Sequence, residues 1–278
     1  MKTPKCFDTL VYNGLIDEVV RQLMSGKEAD VYVVLSKGEV RCAKVYKEAR
    51  KRSFSQQAQY QEGRKVRNSR QARAMEKNSK YGRKEQEGAW QNAEVDALQR
   101  LAAAGVRVPH IYGYVDGVLL MELVVDAHGN AAPRLNDLKL TEEQARAYHR
   151  TMIAQIVTML CAGLIHGDLS EYNVLVGQDG LVIIDLPQAV DAAGNNNAKK
   201  MLERDVGNMA AYFGRFAPEL LTSDYGREIW KLFAGGELSP ASELTGHFVE
   251  SSKTADVKGV MREIDSARHT HERQQSNT

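Results

Sequence analysis

Cysteine is scarce, with three in 278 residues (Cys6, Cys42 and Cys161), and none stands in a C-x-x-C pair. The seven histidines never fall into the H-E-x-x-H spacing that puts two imidazoles on one helical face. A structural or catalytic zinc site therefore lacks its ligands, and any metal is expected on oxygen donors. Long apolar runs are missing too. The stretch Gly117 to Val125 is interrupted by Glu122 and falls well short of the ~20 residues a bilayer span needs. No apolar signal core follows Met1-Lys2-Thr3-Pro4-Lys5-Cys6, which leads instead to Asp8, Asp17 and Glu18. With few thiols and neither signal nor span, the expected setting is the reducing cytoplasm, away from any membrane.

Net charge is also nearly absent, at +1, but it is unevenly spread. Between Arg50 and Lys84 twelve Lys and Arg face only Glu62 and Glu76, a balance of +10 that leaves −9 for the rest of the chain. A hydrophobic share of 43% and a charged share of 26% exclude collagen-like, fully disordered and membrane-embedded classes. What remains is a soluble globular chain with one strongly basic, polar run, 50–88, expected to be mobile.

Leu15, Val19, Val20 and Leu23 form an apolar-periodic lead. Val31 to Leu35 and Val40 to Tyr46 read as a hairpin around Ser36-Lys37-Gly38, and Trp90 to Ala104 as a helix stopped at Gly105. Strands 111–115 and 118–125 turn at Asp116-Gly117. Thr141-x-x-Gln144 is a capping box for a long helix reaching about Cys161, with Met152, Ile153, Ile156, Val157 and Leu160 as its buried stripe. Short strands 174–176 and 181–184 follow, then mainly helix from Asn197 to Leu232. Val257, Val260, Met261 and Ile264 could build a further docking helix. Strands early and helices late predict an α+β protein in two lobes.

The chemistry is concentrated in His166-Gly167-Asp168-Leu169-Ser170-Glu171-Tyr172-Asn173, followed by a strand and Ile183-Ile184-Asp185. An Asp and an Asn five apart, with a second Asp closing the next strand, match a kinase catalytic loop and metal site. Phosphoryl transfer needs a carboxylate near the attacking oxygen and oxygen ligands for Mg²⁺. Asp168 is the candidate for the first, Asn173 and Asp185 for the second. Lys44, on a strand between Cys42 and Tyr46, is the candidate for the α- and β-phosphates, and Glu94 its carboxylate partner in preference to Glu85 and Glu87. Ser25-Gly26-Lys27 stands where a glycine-rich loop is expected; its single glycine permits close backbone approach, and Ser25 and Lys27 can reach phosphates.

Ser25-Gly26-Lys27-Glu28-Ala29-Asp30-Val31-Tyr32, the 166–173 segment and Ile183-Ile184-Asp185-Leu186-Pro187-Gln188 resemble the motifs of the RIO family of atypical protein kinases, over about Leu23 to Phe216. The resemblance implies a trimmed protein-kinase-like fold with an extra N-terminal helix. Residues 1–124 would form the N-lobe, with the basic loop 50–88 before the Glu-bearing helix, 125–240 the C-lobe and 241–278 a tail. It implies ATP with Mg²⁺ (or Mn²⁺) and serine/threonine kinase or ATPase activity with autophosphorylation. The implied roles are Lys44 on phosphates, Glu94 as its ion pair, Asp168 as base, Asn173 and Asp185 on metal, and the backbone of Glu122 and Val124 on adenine. Asp185 would serve either as a metal ligand only or also as a phosphate acceptor giving an aspartyl phosphate.

The short lead implies a RIO branch without the N-terminal winged helix. Gly167 stands where many kinases have Arg, so switching by loop phosphorylation is not expected. Ala217-Pro218-Glu219 reads as a chance likeness to the kinase A-P-E signature. Two alternatives stay open: a small-molecule kinase of the aminoglycoside type, and a nucleotide-switched factor that binds a ribosomal particle or RNA through residues 50–84.

Overall fold

The computed structural model describes residues 5–47 and 93–248. The basic run with Glu85 and Glu87, residues 90–92 of the helix expected from Trp90, and the stretch from Val257 to Ile264 lie outside the described residues. The described residues up to Gly246 make one compact unit, and the second unit begins at His247.

The unit opens with helix α1 (Cys6–Tyr12), followed by strands β1 (Glu18–Ser25), β2 (Ala29–Ser36) and β3 (Glu39–Tyr46). Helix α2 occupies residues 93–103, and β4 (Ile111–Val115) and β5 (Val118–Glu122) complete an antiparallel sheet in the order β1-β2-β3-β5-β4. Both tight hairpins have two successive left-handed residues, Lys37 and Gly38 (φ 54° and 76°) and Asp116 and Gly117 (φ 49° and 76°). That backbone matches the right-handed twist of the strands it joins, which is why an X-Gly pair ends each one.

The sheet buries both faces. Phe7 and Leu10, one turn apart on α1, join Ile16 against Tyr32, Val34, Ala43, Val118 and Leu120. Each fully buried side chain of that size contributes roughly 1.5–3 kcal/mol. Alternation along β3 turns Lys44 and Tyr46 to the opposite face, where Tyr46 packs with Leu119 and with Ala97, Leu98 and Leu101 of α2.

The second lobe is helical. Helix α3 (Glu142–Cys161) starts at the capping box read in the sequence: Gln144 N donates to Thr141 Oγ1 at 3.2 Å and Thr141 N to Gln144 Oε1 at 2.9 Å. Its buried stripe includes Met152, Ile153, Ile156, Val157 and Leu160. Strands β6 (Leu164–Ile165), β7 (Val174–Gly177), β8 (Gly180–Ile183) and β9 (Val190–Asp191) form two small ladders, β6 with β9 and β7 with β8. Helices α4 (Ala198–Phe213) and α5 (Tyr225–Ala234) pack beneath them. Among the described residues, no helix is long and apolar enough to cross a membrane.

Two elements differ from the sequence reading. The lead from Leu15 to Leu23 runs into strand β1, and the strand expected over 118–125 ends at Glu122. Ala217-Pro218-Glu219 begins a 3₁₀ turn (Pro218–Thr222) whose Glu219 pairs with Arg146 of α3 at 2.5 Å.

Candidate active site

Lys44 leaves the middle of β3, flanked by Val31 of β2 and Leu119 of β5. Its ammonium donates to Glu94 Oε1 of α2 at 2.6 Å and to Asp185 Oδ1 at 2.9 Å, partners 50 and 141 residues away in sequence. Tyr46, two residues on and therefore on the same face, donates its hydroxyl to Glu94 Oε2 at 2.6 Å. Glu94 is 2% exposed, so both oxygens of a buried carboxylate are satisfied. Burial alone would lower the Lys44 pKa, but Glu94 and Asp185 outweigh it and hold it above the usual lysine value. Burial, then Glu94, pushes Tyr46 up, which keeps it a hydrogen-bond donor.

The loop between β6 and β7 carries the second half of the site. His166 is buried, and burial lowers its pKa, leaving a neutral ring. Nε2 lies 3.0 Å from the Ile184 carbonyl, and Nδ1 accepts the Asp168 N–H at 3.3 Å. The hydrogen-bond pattern thus assigns the ring proton to Nε2. Asn173 Nδ2 donates to the Asp168 carbonyl at 2.9 Å, and Ile184 N to the Asn173 carbonyl at 3.0 Å. Loop and β8 terminus are therefore laced together through main-chain atoms.

Asp185 follows with φ +65°, a left-handed conformation that side chains adopt at a cost of roughly 1–2 kcal/mol. This sharp turn aims its carboxylate at Lys44. Burial works to raise its pKa, but Lys44, then His166 and Arg134, prevail and hold the carboxyl below its ordinary range. Asp168 is shifted the other way, upward, by burial first and by the charge of Asp185, against His166 and Arg204. Two neighbouring carboxyls with oppositely displaced pKa values suit one anionic ligand and one proton acceptor.

Gly167 has φ +81°, which explains why glycine occupies a place where arginine would be strained. Its N–H and that of Leu169 donate to Asp205 of α4 at 2.8 and 3.2 Å, while Arg204 donates to the Gly167 carbonyl and Asn208 to the Leu169 carbonyl. Asp205 is 2% exposed, and burial pushes its carboxyl up to about 7 against those two donors.

The RIO domain family model matches residues 30–225, which spans β2 through the start of α5 and includes Lys44, Glu94, the loop and Asp185. The chain belongs to the RIO domain family. It is 35% identical over 210 residues to the RIO-type serine/threonine-protein kinase Rio1 of Haloferax volcanii, covering 74% of this chain and 67% of that one. It is 30% identical over 272 residues to the serine/threonine-protein kinase RIO1 of Chaetomium thermophilum, covering 92% of this chain. The match takes in 47% of that fungal protein, so the chain spans under half of its length. Crystal structures of the Rio2 kinase from Chaetomium thermophilum share the fold. One, an ADP/Mg²⁺-phosphoaspartate complex, has a TM-score of 0.55 at 18% identity, over 86% of this chain and 79% of that one. The other has a TM-score of 0.56 at 19% identity, over 94% and 76%.

In this RIO chain the Ser25-Gly26-Lys27 turn, where the sequence predicts a nucleotide loop, lies just before the matched span and is braced. Lys47 Nζ reaches the Gly26 carbonyl (2.7 Å), Asp30 (2.9 Å) and Ser25 Oγ (3.1 Å), and Ser25 in turn donates to Asp30 at 2.6 Å. The Ser25 hydroxyl thus faces Asp30, whereas Lys27 is exposed. At the expected hinge, Glu122 N donates to the His110 carbonyl (2.8 Å) and the Val124 carbonyl accepts from Ala132 N (2.9 Å). The Glu122 N–H and the Val124 carbonyl, two of the backbone groups at the positions expected to meet adenine, are therefore committed within the protein. The Glu122 side chain is bound by both Arg107 guanidinium nitrogens, at 2.5 and 2.9 Å.

The site suits Mg²⁺. Among the described residues no cluster of three or more His, Cys, Asp or Glu could cage an ion. Asn173, whose amide nitrogen is engaged by the loop, keeps its oxygen as a ligand, and Asp185 is a charged carboxylate. Two hard oxygen donors, with phosphate and water completing the shell, fit Mg²⁺. Sequence reasoning missed Tyr46 and Asp205 as parts of this site and assigned no role to the His166 ring.

Proposed function

We propose that this chain is an ATP- and Mg²⁺-dependent serine/threonine protein kinase of the RIO type, with ATPase activity. The observation that carries the reading is Lys44, held charged between Glu94 and Asp185 at 2.6 and 2.9 Å. This places a fixed ammonium beside a metal-ligating carboxylate, as phosphate binding requires. The Glu122 carbonyl and Val124 N–H orient adenine; Lys44 exchanges part of its contact with Asp185 for phosphate oxygens; Asn173 and Asp185 hold the metal. Bound Mg²⁺ neutralises phosphate charge and polarises the transferring group. Asp168, with a raised pKa, accepts the proton of the attacking hydroxyl.

In a second route, Asp185 also takes the phosphoryl group instead of serving as a metal ligand alone. Its carboxylate attacks the γ-phosphorus, the bond to the bridging oxygen breaks, ADP leaves, and water or a hydroxyl later removes the phosphate. The phosphoaspartate of the Rio2 complex and the ionised Asp185 of this chain support this route. The +10 balance of residues 50–84 supports a polyanionic partner such as RNA or a ribosomal particle. The free thiols of Cys42 and Cys161 suit a reducing cytoplasm as the place of action.

The test is incubation with γ-labelled ATP and Mg²⁺, following autophosphorylation, free phosphate and transfer to cell extract. Asp168→Ala and Lys44→Ala should each lower turnover by ~10²-fold or more with the fold intact. Near-normal turnover in either folded variant refutes the assignment.

A further inference from the structure

Arg134 lies outside every motif and pairs with none of the groups described above, yet it connects the two lobes at the nucleotide cleft. Its backbone bridges Leu175 of β7, two residues after Asn173, and Val176 N donates to the neighbouring Pro133 carbonyl at 2.9 Å. From that floor the side chain rises to the roof, where its guanidinium donates to Met24 Sδ at 2.8 Å, next to Ser25 at the end of β1. A thioether is a weak acceptor, and among the described residues no carboxylate lies within ion-pair distance of this guanidinium. By contrast, Arg107 is committed to Glu122, and Arg146 to Glu142 and Glu219. Arg134 also feels the metal-side carboxylate. Against burial, and after Lys44 and His166, it adds to the positive potential that holds Asp185 ionised.

We propose that Arg134 is a phosphate-binding residue of this chain, its guanidinium leaving the Met24 sulfur to donate to a phosphate oxygen of the bound nucleotide. The placement favours phosphate because the side chain stands between the loop at Ser25-Gly26 and the strand pair that Asn173 and Asp185 flank. Lys44 can offset only part of a polyphosphate's charge beside the metal, because its own charge is already shared between Glu94 and Asp185. A planar guanidinium with free donors is the group best suited to the remaining oxygens.

The inference rests on the ATP reading above, and the test keeps the two apart. Affinities of Mg·ATP, Mg·ADP and adenosine are measured calorimetrically for the full-length wild type, Arg134→Gln and Arg134→Lys, with thermal melts to verify folding. Arg134→Gln should weaken Mg·ATP and Mg·ADP by about tenfold or more while leaving adenosine unchanged, and Arg134→Lys should recover part of the loss. Equal affinity for Mg·ATP in Arg134→Gln overturns the proposal, as does an equal loss for adenosine, which would make Arg134 a wall of the pocket. Wild-type protein that binds none of the three overturns the ATP reading itself and this inference with it. Should Arg134→Gln fail to fold, Arg134→Met decides: Mg·ATP affinity and salt dependence equal to wild type overturn phosphate binding, whereas a loss for both nucleotides that spares adenosine supports it.

Discussion

Asp205 offers a quantitative test of how the catalytic loop is held. Its buried carboxyl group accepts the N–H groups of Gly167 and Leu169, on either side of Asp168, at 2.8 and 3.2 Å. Asp205→Ala leaves both donors buried without an acceptor, and each such loss costs roughly 1–3 kcal/mol, so the variant should lose about 2–6 kcal/mol. It also enlarges a small cavity lined by Ile156, Met159, Leu164, Leu169 and Leu202. Asp205→Asn keeps the shape but retains one acceptor oxygen, so its loss should be near half. A carboxyl pushed up to about 7 stays protonated in the folded state while the unfolded chain, with an ordinary value of ~3.9, ionises. The stability this protonation supplies is present below pH ~4 and lost as pH rises towards 7. Asn should flatten that part of the pH dependence. Urea unfolding across pH 4–8, with amide exchange at Gly167 and Leu169, reads both effects. If Asp205→Ala changes stability by under ~0.5 kcal/mol and leaves both amides protected, Asp205 does not hold the loop.

Two further outcomes follow from the same geometry. His149 is buried against Phe213 and Tyr225 with Nε2 unpartnered, and burial lowers its pKa, so its contribution to stability is intact above the ordinary value of ~6.5 and lost as pH falls below it. His149→Phe should keep the ring contacts and shrink the drop in urea midpoint between pH 7.5 and 5; an unchanged drop would point to other groups. If Asp185 accepts phosphate, label from γ-labelled ATP should be released by hydroxylamine and absent in Asp185→Asn, whereas hydroxylamine-stable label mapping to serine would confine Asp185 to holding metal.

Much of this architecture was readable because short-range chemistry dictates it. The capping box at Thr141 and Gln144 and the two X-Gly hairpins each involve residues within a few positions of one another, and the fold makes them as written. Strand β1 escaped for a physical reason. It is an edge strand, largely exposed, and irregularities between Val19 and Arg21 and between Gln22 and Met24 break the period of two that marks a half-buried strand. The union of Lys44, Glu94 and Asp185 could be anticipated only from the motif as a whole. Tyr46 reads locally as a core aromatic, and only the fold shows its hydroxyl on Glu94. Asp205 supports backbone atoms nearly forty residues away, and backbone donors leave no trace in side-chain identity. Arg134 was invisible because its partner is a methionine at the far side of a cleft.

The double anchoring of Glu94 bears on how such a protein can be silenced. Many switches move a helix so that a glutamate leaves its lysine, which works only if the glutamate has somewhere tolerable to go. Here departure would take from buried Lys44 one of its two carboxylates and from buried Tyr46 its 2.6 Å acceptor, and would pull the carboxylate off both donors. Breaking a buried pair of this kind costs roughly 3–5 kcal/mol, a displaced population under about one molecule in a hundred. The ion pair is therefore assembled in the resting protein, before any ligand arrives. Restraint has to be imposed from outside, by whatever fills or covers the cleft, and release amounts to uncovering a site that was ready throughout.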